Sequence, residues 1–175
     1  ADTTGGKTTA IGYAALATQN STNSADMFNT AVGYAAGTAV TTGVQNTLIG
    51  GLAGDAITTG GNNVALGYQA LSANTDATYN TAVGSLSLQL TTTGISNTGV
   101  GGQALQNNTT GSNNAAFGVN ALDANTTASD NSAFGFSALK QNTTGANNTA
   151  VGASALDANT TGTLNTALGL AALGA

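Results

Sequence analysis

The sequence predicts an all-β solenoid of ten coils with a 17-residue period. Three observations carry this. A short unit recurs in near-perfect phase, the unit mixes strand-forming with turn-forming residues, and charge is almost absent. The unit is anchored on Asn-Thr-Ala-φ-Gly, where φ is apolar. Its glycines are Gly12, Gly33, Gly50, Gly67, Gly84, Gly101, Gly118, Gly135, Gly152 and Gly169. The first interval is 21 residues and every later one is 17. Residues 1–7 read as a lead-in and residues 8–175 as a single repeat domain, a segment of a longer fibre. The phase persists to Ala172–Ala175 with no polar capping coil, although solenoids normally need one. The expectation is a chain cut from a longer fibre, or one whose end meets another subunit.

Seventeen residues are too few for a pair of packed helices, which repeats of about 33 to 47 residues provide. Gly, Asn and Thr in every unit are poor helix formers. Two strands of about five residues, each bounded by a turn, use the available length. Thr-Ala-Val suits a strand, and the anchor glycine and the Asn-Thr-Thr-Gly stretch are turn chemistry. Coils stacked at roughly 4.8 Å make a rod about 48 Å long.

Stacking explains the sameness of the units, because each residue lies on its own copy and side chains form columns. Two columns are read as the bulky core. The first is φ, with Val32, Leu66, Val83, Phe117, Phe134, Val151 and Leu168; the second lies four residues after the glycine, with Leu71, Leu105, Leu122, Leu139 and Leu156. Gly37 and Gly54 interrupt the second column, and Leu48 and Gly99 replace the Ala that usually precedes φ. The Ala columns let backbones approach closely, and stacked Asn residues can pass amide hydrogen bonds from coil to coil. A repeated charge would repel its own copies, and the chain carries only two Lys and seven Asp. Lys140 sits between Asp123 and Asp157 in one column. So thin a coil buries little area, which predicts further apolar burial between chains and a homotrimer.

The composition narrows the function. His and Cys are absent, which removes most acid–base and nucleophilic machinery. The scattered Asp residues form no catalytic pair and no calcium repeat, so no enzyme, metal or cofactor is expected. With two Lys and a net charge of −5, nucleic acid is not an expected partner. No apolar run approaches the ~20 residues of a membrane span.

The Asn-Thr-Ala-Val-Gly anchor followed by Ala-Leu resembles the head repeat of YadA-like trimeric autotransporter adhesins. It resembles more closely the Asn-Thr-Ala-φ-Gly…Ala-Leu…Asn-Thr-Thr-Gly repeats of phage tail fibres and related bacterial surface fibres. The likeness spans about Thr8 to Leu173. It implies a left-handed parallel β-roll, three chains to a fibre, placement outside the cell or on a virion, and a role as stalk or receptor-binding head. The receptor would be a protein or a glycan on a cell surface.

Two alternatives stand beside this reading. One is a self-assembling extracellular filament or sheath subunit. The other is an ice-binding solenoid, suggested by columns of Thr. Such faces use Thr-x-Thr, since alternate strand residues share a side, whereas the Thr pairs here are adjacent and read as turns. A binding site is expected where the repeat breaks. The insertion in the first unit nominates Asn23, Asp26, Met27 and Phe28 as a partner-binding loop.

Overall fold

The computed structural model describes residues 6–20 and 26–174. Among them there is no helix, and ten strands form a single parallel sheet in chain order. The strands are β1 (Thr9–Ile11), β2 (Thr30–Val32), β3 (Thr47–Ile49), β4 (Val64–Leu66), β5 (Thr81–Val83), β6 (Thr98–Val100), β7 (Ala115–Phe117), β8 (Ser132–Phe134), β9 (Thr149–Val151) and β10 (Thr166–Leu168). Each pairs with its successor in the register of the repeat; Ala82 of β5, for instance, faces Gly99 of β6. The predicted solenoid is present. Each unit contributes one three-residue strand, where the sequence suggested two of about five.

The second stretch is a ribbon of two tight turns. In the coil that begins at Gly67, Ala70 N–H donates to the Gly67 carbonyl, and Asn74 N–H donates to the Leu71 carbonyl. Gln69 and Leu71 both have positive φ, 52° and 56°, which removes them from strand geometry. The ribbon is still bonded to its neighbours: Gln69 N–H donates back to Gly51 O, and Leu71 N–H donates forward to Ser87 O. Its backbone groups are therefore satisfied without a second ladder.

The strand residues alternate, with the middle residue buried and both flanking residues at least partly exposed from β2 onward. The buried column is the Ala that precedes φ: Ala31, Ala65, Ala82, Ala116, Ala133 and Ala150. It packs with a second Ala column (Ala70, Ala104, Ala121) and with Leu71, Leu105, Leu122, Leu139 and Leu156. The expected Leu column is thus in the core. The φ column is not. Leu66 (42%), Phe117 (38%), Phe134 (41%), Val151 (37%) and Leu168 (79%) are exposed, and Val32 and Val83 are half-buried. Successive strand side chains point to opposite faces, so only one parity can point inward. The Leu side chains arriving from the turn ribbon leave space there for a methyl group only.

The coils that break the pattern obey the same volume rule. Gly37 and Gly54 take the positive φ of the Leu position (58° and 55°), and the missing volume is supplied from across the core by Leu48. A Cβ on Gly37 would lie 2.6 Å from Leu48 Cδ1, and one on Gly54 would lie 2.7 Å from Leu48 Cδ2. Val40 and Ile57, both fully buried, complete the replacement. Gly99 answers a different exception. Ser87 occupies an Ala position and donates its hydroxyl to Gly99 O (3.0 Å) and Ala104 O (3.2 Å). A Cβ at residue 99 would sit 2.6 Å from that hydroxyl oxygen.

Leu48→Ala is expected to cost about 3 kcal/mol through the cavity it leaves, and Gly54→Leu about 2 kcal/mol through overpacking. The double variant gives this coil the Ala and Leu pairing that Ala65 and Leu71 have in the next, with Ile57 still close to residue 54, and should lose clearly less than the sum. Guanidinium unfolding of the four proteins measures the cycle, and simple additivity would refute the compensation.

Two Asn columns run along the other edge of the core. Asn29, Asn46, Asn63, Asn80, Asn97, Asn114, Asn131 and Asn148 are buried in one column. Each Oδ1 accepts the backbone N–H of the Asn in the next coil, from Asn46 onto Asn29 (2.8 Å) to Asn165 onto Asn148 (2.9 Å). The second column holds Asn108, Asn125, Asn142 and Asn159, linked amide to amide at 2.9 to 3.1 Å. Both columns aim Nδ2 at one carbonyl per coil; Gly111 O receives Asn97 (2.8 Å) and Asn108 (3.0 Å). The Thr residues of the turn are likewise tied in. Thr109 Oγ1 donates to Thr126 O (3.0 Å), and Thr126 and Thr143 repeat the bond one coil on.

Candidate interaction face

The four residues nominated at the break of the repeat do not form one exposed loop. Asn23 lies outside the described residues. Asp26 forms a parallel bridge with Gly6, and its carboxylate meets Lys7 Nζ at 2.7 Å. The same ammonium lies 5.3 Å from the centre of the Phe28 ring, which is half exposed. Met27 is only 3% exposed and belongs to the packed interior, which corrects its nomination. Met, unbranched and polarizable, packs readily into an irregular interior. These contacts fasten Gly6 and Lys7 onto the coil that contains Asp26.

The larger exposed feature is the outer face of the sheet. It carries the φ column, the Thr column two residues before it, and, one residue past each anchor glycine, a third column with Tyr13, Tyr34, Tyr68, Val119, Phe136 and Leu170. All six of these are exposed. Phe117 and Phe134 stack at 4.9 Å with 5° between their planes, and Tyr13 and Tyr34 stack at 5.5 Å and 10°. The face is also without charge. In all ten units the four residues on either side of the anchor glycine include no Asp and no Lys, although these windows cover half of the chain. All nine charges lie on the turn sides or in the lead-in.

The variable residue after the anchor glycine reads as an outward column from sequence, but the φ column beside it was missed because apolar φ residues read as core. Two signals pointed to it. The residue before φ is almost always small, as a cramped inward position requires, whereas φ ranges from Val to Phe. The charges also avoid the same windows in every unit.

On the turn sides, two carboxyls are perturbed. Burial pushes Asp55 above its ordinary value of 3.8, against a backbone hydrogen bond that lowers it; its Oδ1 is enclosed and has no hydrogen-bond partner. Burial also raises Asp123, and the attraction of Lys140 and the Asn107 amide (3.2 Å) offset this only in part. Both groups hold their protons more tightly folded than unfolded. Their contribution to stability is present below the unfolded value and is lost as pH rises through the raised folded values. Asp55→Asn is therefore expected to raise Tm at pH 7 and to change it little at pH 3. Thermal melts followed by circular dichroism at both pH values test this; an equal shift at the two would exclude a titration origin.

Among the described residues, no group of three or more carboxylates comes together to hold a metal ion, and no helix is long and apolar enough to cross a membrane. No family model matches the chain, and neither a curated protein nor a solved structure does.

Proposed function

We propose that the chain is a non-catalytic segment of an extracellular fibre, an adhesin head or stalk or a phage tail-fibre segment. In this reading three copies run together and mediate attachment to a protein or glycan on a cell surface. The observation that supports it is the continuous self-bonding of the rod. Strand ladder, Asn columns and Thr columns repeat the same contacts coil after coil. Such a body transmits load along its length and presents repeated surface, which is what an attachment fibre requires. The near absence of charge fits close lateral contact between identical chains, whose like charges would otherwise repel.

The test is retention of the fluorescently labelled full chain on bacterial and animal cells, and on arrays of glycans and surface proteins. Saturable binding that unlabelled chain displaces supports attachment, and the cell type retained separates a phage fibre from a host-directed adhesin. Absence of saturable binding on every surface would reject the attachment role.

A further inference from the structure

We infer that the outer face of the sheet is the surface on which copies of this chain pack, with the Phe117–Phe134 stack at the contact. The inference rests on the assembly reading above and assigns it a face.

Three observations point to this face over the turn sides. It presents the exposed φ residues Phe117, Phe134, Val151 and Leu168 in register on the consecutive strands β7 to β10, and Leu66 on β4. A row of exposed apolar side chains this long is unusual on a surface facing only water. Its charge is zero along the whole rod, whereas Asp55, Asp76, Asp123, Asp130, Lys140 and Asp157 all lie on the turn sides. Copies with a net charge of −5 each can therefore meet on this side without bringing carboxylates together. The extent also suffices. Nine steps of about 4.8 Å and a width of five residues at about 3.4 Å give roughly 700 Å², close to the ~800 Å² that each partner contributes to a standard interface. The occupant these features favour is another copy. A regular column of stacked aromatic and β-branched side chains matches a second column of the same spacing, and an unrelated globular surface lacks that period.

The full chain is compared with Phe134→Lys, which places a charge in the middle of the face, and with Thr127→Lys, which places the same charge on an exposed turn. Mass in solution is read by light scattering, and β-structure by circular dichroism. Wild type and Thr127→Lys should show a multiple of the 16.7 kDa chain mass, and Phe134→Lys should fall to a single folded chain. The chain has no cysteine, so Val151→Cys and Thr144→Cys each provide a unique thiol for maleimide labelling and give a reading even if Phe134→Lys does not fold. The Val151→Cys thiol should react at least tenfold more slowly than the Thr144→Cys thiol in the assembled protein. If wild type is multimeric but Phe134→Lys keeps its mass and the two thiols react at equal rates, the face is wrong and the assembly reading stands. A wild-type mass of one chain overturns both.

Discussion

Replacing Gly84 with Ala is expected to remove about 4 kcal/mol of stability, at the limit of what single substitutions do, while Gly169→Ala should cost only about 1–2 kcal/mol. Both glycines hold a φ that L side chains rarely adopt, +131° and +125°. They differ in what stands over them. A Cβ on Gly84 would lie 2.5 Å from the Gly101 carbonyl oxygen and 2.6 Å from its carbon, whereas one on Gly169 has nothing within 4 Å. The Gly101 backbone cannot retreat, because Gly101 N–H donates to Val83 O at 2.7 Å and the next coil is stacked on it. The pair separates backbone strain, common to both variants, from obstruction of stacking, present only in the first. Guanidinium unfolding midpoints measure the difference, and equal losses would show that strain alone keeps glycine at the anchor.

Asn97→Ala is expected to cost about 3 kcal/mol. The Asn97 Oδ1 accepts both the backbone N–H (3.0 Å) and the Nδ2 (3.1 Å) of Asn114, and its own Nδ2 donates to Gly111 O (2.8 Å). Gly111 O keeps Asn108 as a donor, and Asn114 Nδ2 keeps Ala128 O. The backbone N–H of Asn114 keeps nothing, and an unpaired buried donor carries the full penalty of lost hydration. Asn97→Asp tests the donor half of the same contact. It keeps the shape and the acceptor but loses the bond to Gly111 O and introduces a charge into a fully buried column. It should be less stable than the Ala variant at pH 7 and recover as pH falls, because protonation removes the charge and restores a donor. Thr144→Ala, exposed on the turn side, should stay within about 0.5 kcal/mol of wild type. If Asn97→Ala behaves like Thr144→Ala, the column is not a stability element.

Much of this molecule was legible in the 17-residue phase itself. Residues that recur at one spacing must stack, so the number of coils, the parallel register and the Leu71–Leu156 column follow from reading the repeat. The bonding between successive Asn residues follows as well, since an amide placed on its own copy has a donor and an acceptor in line. The scarcity of charge has the same root.

Three features were beyond that reading. Thr-Ala-Val offers two apolar neighbours on opposite sides of a strand, and periodicity does not say which faces inward. The volume of the Leu side chains crossing from the turn ribbon decided it for Ala, leaving Val83 and Phe134 on the outside. The second stretch became turns because Gln69 and Leu71 hold positive φ, a conformation that their residue types rarely announce. Met27 falls in the insertion that the sequence nominates as a partner-binding loop and lies instead in packed interior. The sequence by itself determined that this chain is a rod of stacked identical coils, because a column must be compatible with itself. The tertiary structure alone decided which columns fill the rod and which clothe it, because that choice depends on the width of the coil, a distance set by contacts across the core rather than along the chain.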